Sequence, residues 1–120
     1  MSRDPRKRRV FWLADELVID VYRATSSFPA EERFGLQREL RRSAVSAAVN
    51  IVEGSARRTT REYLNFLNIS TGSSAEARYL LGVGVRLGFL PEQSHETLTA
   101  RYTELLKGLQ KLMQSLEHEP

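Results

Sequence analysis

Residues 50–63 read NIVEGSARRTTREY, and how this stretch is parsed decides the fold. Gly54 follows an apolar run and stands where a helix C-terminus favours a residue tolerant of left-handed dihedrals. Thr59-Thr60-Arg61-Glu62 then reads as a capping box. The Thr59 hydroxyl accepts from a free amide of the next helix, and Glu62 reaches back. A stop followed so soon by a start predicts a corner between two helices.

Working outward, helical spacing continues on both sides. Upstream, Leu36, Leu40, Ala44, Ala47 and Ile51 form one stripe of a helix expected from about Phe34 to Glu53. Downstream, Tyr63, Phe66, Leu67, Leu80, Leu81 and Leu87 place a helix over about Thr60 to Leu87. An earlier segment carries Val10, Leu13, Leu17, Val21, Ala24 and Phe28, and Pro29 is expected to end it, since proline cannot continue the backbone ladder. The last segment opens near Pro91, a favoured first-turn residue. Its Leu98, Tyr102, Leu105, Leu109, Leu112 and Leu116 alternate steps of four and three, the spacing of knobs-into-holes packing.

The links at Pro29 to Arg33, Ser55 to Thr59 and Gly88 to Leu90 are short. Short links between long helices force antiparallel neighbours. The expectation is an all-α protein, an antiparallel up-down-up-down four-helix bundle. Residues 1–9 are read as a basic N-terminal arm and residues 10–120 as the bundle domain. No stretch alternates with period two, and no repeat of solenoid length is visible.

With 120 residues the chain fits one domain. It has no cysteine, which excludes disulfides and thiolate metal sites and fits a reducing compartment. No apolar run is long enough to span a bilayer. Charges occupy the N-terminus where a secretory signal needs apolar residues, so a cytoplasmic protein without membrane contact is expected. Net charge is only +3, but it is segregated. Arg33, Arg38, Arg41, Arg42, Arg57, Arg58 and Arg61 face only Glu39 and Glu53 between positions 33 and 61. Such segregation creates a basic surface that the total hides, and arginine suits bidentate pairing with carboxylate or phosphate.

Two features exceed a plain bundle. From Ser43 to Val52, SAVSAAVNIV is small or apolar on every face. A helix facing solvent there should show a polar stripe, so it is expected to be covered on two sides, by its own core and by a sister subunit. The third helix answers with Ser70, Thr71, Gly72, Ser73, Ser74, Ala75 and Ala77, which permits close approach. In addition, Asn50, Glu53, Ser73 and Glu76 fall where the second and third helices could meet. They are read as a polar network fixing register or subunit contact, with Arg42 or Arg57 supplying charge-assisted bonds.

At these residues the chain resembles the four-helix-bundle proteins associated with intervening sequences of bacterial 23S ribosomal RNA genes. The resemblance rests on Phe28-Pro29 with Glu31-Glu32-Arg33, Leu40-Arg41-Arg42, Asn50-x-x-Glu53-Gly54, Glu62-Tyr63 and Gly72-Ser73-x-x-Glu76. It implies a left-turning up-down bundle and a ring-shaped homo-oligomer, commonly a pentamer. Similar proteins also serve as accessory factors for the reverse transcriptases of diversity-generating retroelements, so nucleic acid (RNA or DNA) or such a polymerase is an implied partner. The chain departs from the pattern at Ala47-Ala48, where a proline is usual, at Ser55-Ala56, where an aromatic often follows the glycine, and at Arg78, where an acid is common.

The leading functional expectation is a non-enzymatic oligomer that presents arginines to phosphates. Arg38, Arg41 and Arg42 share one helix face, and Arg57, Arg58 and Arg61 cluster at the corner. No finger, helix-turn-helix or aromatic platform is present, so sequence preference should be weak. The plainer reading is that these arginines pair with neighbouring acids, and the alternative function is a protein–protein scaffold with no nucleic-acid ligand. Catalysis is not expected: His95 and His118 lie near no nucleophile and at no ligand spacing, and no cofactor or metal motif exists. Gly82-Val83-Gly84 lies inside a helix and reads as a packing notch rather than a phosphate loop. Phe11 and Trp12 are expected to anchor the core or an interface.

Overall fold

A computed structural model describes residues 4–118 of the chain. Helix α1 spans Pro5–Thr25, α2 Leu36–Ser55, α3 Thr60–Arg86 and α4 Glu92–Glu117, with a single 3-10 turn at Ala30–Glu32 between the first two. There is no strand among the described residues. No helix among them is long and apolar enough to cross a membrane.

Cross-helix contacts fix the directions. As α2 ascends through Ser43, Ser46, Ala47 and Gly54, its partners on α3 descend through Glu76, Ser73, Ser70 and Tyr63. On α3 and α4, Arg78 meets Thr103 while Gly82 meets His95. On α4 and α1, Arg101 meets Glu16 and Asp20, and Glu104 meets Arg9. Each pair is antiparallel, so the bundle is up-down-up-down. α4 closes against α1, and the diagonal helices do not approach each other. The result is a rod of 50 × 24 × 20 Å.

The leucines read from the periodicity fill its axis. Leu17, Leu40, Leu67, Leu81, Leu105, Leu109 and Leu112 are fully buried, and the whole 4-3 series of α4 is buried with them. Truncating any one of these leucines to alanine costs about 2–5 kcal/mol.

Helix boundaries differ from the sequence reading for local reasons. α1 begins at Pro5, with the Asp4 carboxylate accepting from the Arg6 amide at 2.9 Å. Arg6, Lys7, Arg8 and Arg9 are therefore helical rather than a separate arm, and positions 1–3 of that arm lie outside the described residues. α1 ends at Thr25, before Pro29, where the Thr25 and Ser26 hydroxyls donate to carbonyls of the last turn. Phe28 then folds back into the core, its ring 5.8 Å from Phe89. α2 starts at Leu36 because Glu32 accepts from the Leu36 amide at 3.0 Å, a carboxylate on the positive end of the helix.

The corner itself is a corner, but Gly54 has another role than the one expected. α2 runs through it to Ser55, and the cap at Ala56 is right-handed. Gly88 is the glycine with a positive φ, +79°. There the Phe89 amide reaches Gly84 O at 2.9 Å and the Gly88 amide reaches Val85 O at 3.1 Å, the paired bonds of a Schellman stop. Gly54 is buried, and a Cβ on it would sit 2.9 Å from both Phe66 Cβ and Tyr63 Cδ1. Its lack of a side chain is what lets the corner close.

Candidate functional site

Helix α2 carries an arginine group at each end. Arg38 and Arg57 are nineteen residues apart, which at 1.5 Å per residue puts the groups about 28 Å from each other. One chain does not bring them together.

At the N-terminal end, Arg41 is absorbed into the fold. Its guanidinium lies 4.4 Å from the Tyr22 ring centroid. Its Nε donates to Thr25 Oγ1 at 2.9 Å and its NH2 to Tyr22 O at 3.2 Å, which clamps α2 to α1. Arg42 donates to Glu39 at 2.8 Å and lies 3.6 Å from Glu76. The hydrogen bond from Arg42 holds the Glu39 carboxyl below the ordinary range, and Glu39 in turn raises Arg42. Arg38 is exposed and has no hydrogen bond or ion pair among the described residues.

At the corner, Arg57 donates to Glu53 at 3.2 Å and stacks 4.7 Å from the Phe66 ring centroid. Arg58 and Arg61 are exposed and make no hydrogen bond or ion pair among the described residues. So three of the six predicted arginines are partnered and three are not. Thr59 caps α3 as expected, accepting from the Glu62 amide at 3.2 Å. Glu62, however, accepts from the Thr59 hydroxyl at 2.9 Å instead of reaching the backbone amide.

The predicted polar network forms in two separate parts. Asn50 donates to Ser46 O at 2.8 Å and Ser46 Oγ at 3.2 Å, and Ser46 Oγ lies 2.7 Å from Ser73 Oγ. Glu76 accepts from the buried Ser43 hydroxyl and neighbours Arg42. Glu53 joins neither part; it is exposed and engaged by Arg57. The linking residues Ser43, Ser46 and Ser70 were missed as partners. Their signal was present: Ser43, Ser46 and Asn50 sit at helical i, i+3, i+7 on α2, opposite the serines of α3. Ser70 donates to the carbonyl of Ala47 at 2.7 Å, so the two backbones are close, as the small residues allow. Arg78 turns away from Glu76 to Thr103 on α4.

Outside these bonds α2 shows an apolar stripe. Val49 is 45% and Val52 50% exposed, with Val45 and Ala48 half-buried beside them. The chain's own bundle does not cover this side. Trp12 is 59% exposed, so it is not a core residue, while Phe11 is half-buried. Among the described residues no three His, Asp or Glu side chains converge on a metal position.

The fold matches that of a solved protein. A crystal structure of a protein with unknown function from the S23 ribosomal protein family of Bacteroides thetaiotaomicron superposes with a TM-score of 0.84, covering 91% of this chain and 98% of that one at 21% identity. That likeness shows the fold. A search of curated proteins gives no match. The model of the 23S rRNA-intervening sequence protein family matches residues 6–111. This span contains every motif on which the resemblance was read, and the chain belongs to that family.

Proposed function

We propose that this protein is a non-enzymatic, homo-oligomeric binding module of the cytoplasm that contacts nucleic-acid phosphates through the arginines of α2 and the α2–α3 corner. The observation that carries the reading is the pattern on α2: unpartnered Arg38, Arg58 and Arg61 lie beyond the two ends of an exposed stripe containing Val49 and Val52. An uncovered apolar stripe favours burial against a sister copy, and a ring assembled on it repeats both arginine groups around one axis. Repetition turns a few weak phosphate contacts into a strong, salt-sensitive field.

The test combines native mass with a filter-binding titration against single-stranded and structured RNA. An oligomer that binds both at low salt, and releases both as salt rises, is the expected result. A folded oligomer with no binding at low salt overturns the nucleic-acid part.

The engagement of Arg41, Arg42 and Arg57 within the chain favours a second reading, a protein-docking scaffold. Arg57, Arg58 and Arg61 changed together to glutamine separate the two. Partner capture, for example of a reverse transcriptase, that survives while RNA binding disappears selects the scaffold.

A further inference from the structure

A cleft of about 550 Å³ opens at the α2–α3 corner, where the start of α1 and the end of α4 also arrive. Its volume falls in the range of about 300–1,000 Å³ that holds a compact organic ligand. Lys7, Arg57 and Arg58 line it, and no carboxylate does. Glu53 pairs with Arg57 of this wall and Glu62 accepts from its Thr59, while the charge of Asp4 acts on Lys7 and Tyr63. Lys7 and Arg58 are the wall cations without an ion pair among the described residues. The carbonyls ending α2 are also occupied, those of Val52, Glu53 and Gly54 by Ser55, Ala56 and Arg57. The negative end of α2 is thereby muted. Thr60 and Tyr63 line the same space, and their hydroxyls make no hydrogen bond among the described residues. Phe11, Ile51, Val52 and Leu116 complete the wall with apolar surface.

The cleft thus joins a cationic, hydroxyl-rich side to an apolar one. A bare anion uses only the first and a hydrophobic ligand only the second. We propose that it binds a nucleoside 5′-monophosphate group, either free or as the phosphorylated end of a single strand. Lys7, Arg57 and Arg58 hold the phosphate, Thr60 and Tyr63 add hydrogen bonds, and Phe11 flanks the base. This deepens the nucleic-acid reading at the corner and rests on it for the class of ligand. It adds Lys7, Phe11, Thr60 and Tyr63, none of which that reading requires.

Calorimetric titration with AMP, adenosine and inorganic phosphate tests it, alongside a short single strand bearing either a 5′-phosphate or a 5′-hydroxyl. AMP is expected to bind at least about tenfold more tightly than adenosine or inorganic phosphate, or the phosphorylated strand by the same factor over its hydroxyl counterpart. The AMP arm identifies the free nucleotide as the source and the strand arm the chain end. Lys7→Gln with Arg58→Gln should abolish that preference, while Arg23→Gln at the far end of α1 keeps it. Should the double variant fail to fold, Arg58→Gln alone, at an exposed position, should still reduce it. No preference for the phosphate in either arm, or a preference that survives Arg58→Gln in folded protein, overturns the proposal. Salt-sensitive RNA binding that persists without 5′-phosphate preference overturns this site alone and leaves the wider nucleic-acid reading standing.

Discussion

Tyr102 carries its hydroxyl into a core that gives it no hydrogen-bond partner. Burial, and then the nearby Asp20 carboxylate, push its ionisation well above the ordinary tyrosine range. Tyr63 shifts the same way, chiefly through burial. The folded state therefore holds both phenols neutral, whereas the unfolded chain ionises them near pH 10. Their contribution is fully present below about pH 10 and is lost as pH rises above it. Tyr102→Phe removes the larger shift along with a buried, unpaired hydroxyl. It should raise stability at neutral pH by about 1 kcal/mol and flatten the alkaline fall in melting midpoint. Urea titrations of both proteins at neutral pH and above pH 10 check the two effects; a loss of stability at neutral pH would mean that the hydroxyl has a partner after all. Tyr102 was read as a core residue from its place in the leucine series. Its unpaired hydroxyl depends on side chains from other helices, which periodicity does not locate.

At the scale of elements, the α2–α3 corner joins a legible feature to an illegible one. The Thr59 cap follows from residue type and from Glu62 three places on, both local facts. Thr59→Ala should cost about 1 kcal/mol in a denaturation midpoint series, the usual worth of such a cap. Gly54 was read through its neighbours in sequence as a left-handed stop, but its reason lies across the corner in Tyr63 and Phe66. A side chain there must displace the buried Tyr63 ring and the Phe66 Cβ, at a cost of about 1–3 kcal/mol. The gain in helix propensity from glycine to alanine is about 1 kcal/mol at most. Gly54→Ala is therefore expected to destabilise, and Gly72→Ala to stabilise by about 0.5–1 kcal/mol, because a Cβ at Gly72 meets nothing within 4 Å. Equal effects at the two glycines would remove the close-approach account. The same division runs through the polar network: the chain shows which residues are polar on an apolar helix, but the pairing of Ser46 with Ser73 awaits the register of α2 on α3.

For the whole molecule, four helices and their order were legible because each buried stripe repeats with helical spacing and each link is short. Placement of the arginines was not, since it depends on side chains of other helices, Tyr22 and Thr25 at Arg41 and Phe66 at Arg57. In the single chain the two arginine groups stand about 28 Å apart along a 50 Å rod, and half of their members are already bonded. On the proposed reading, a collective cationic surface requires copies, assembled through the Val49–Val52 stripe. Val49→Glu places charge on that exposed stripe without entering the core or the corner cleft, so the fold should persist while native mass falls to that of one chain. RNA affinity should fall with it, although no arginine has changed. The logarithmic dependence of binding on salt should become shallower too, because its slope counts the phosphates neutralised at once, at about 0.9 per contact on duplex and 0.7 on single strands. Loss of assembly with an unchanged salt slope would place the phosphate contacts within one chain and dissolve the link between the apolar stripe and the arginines.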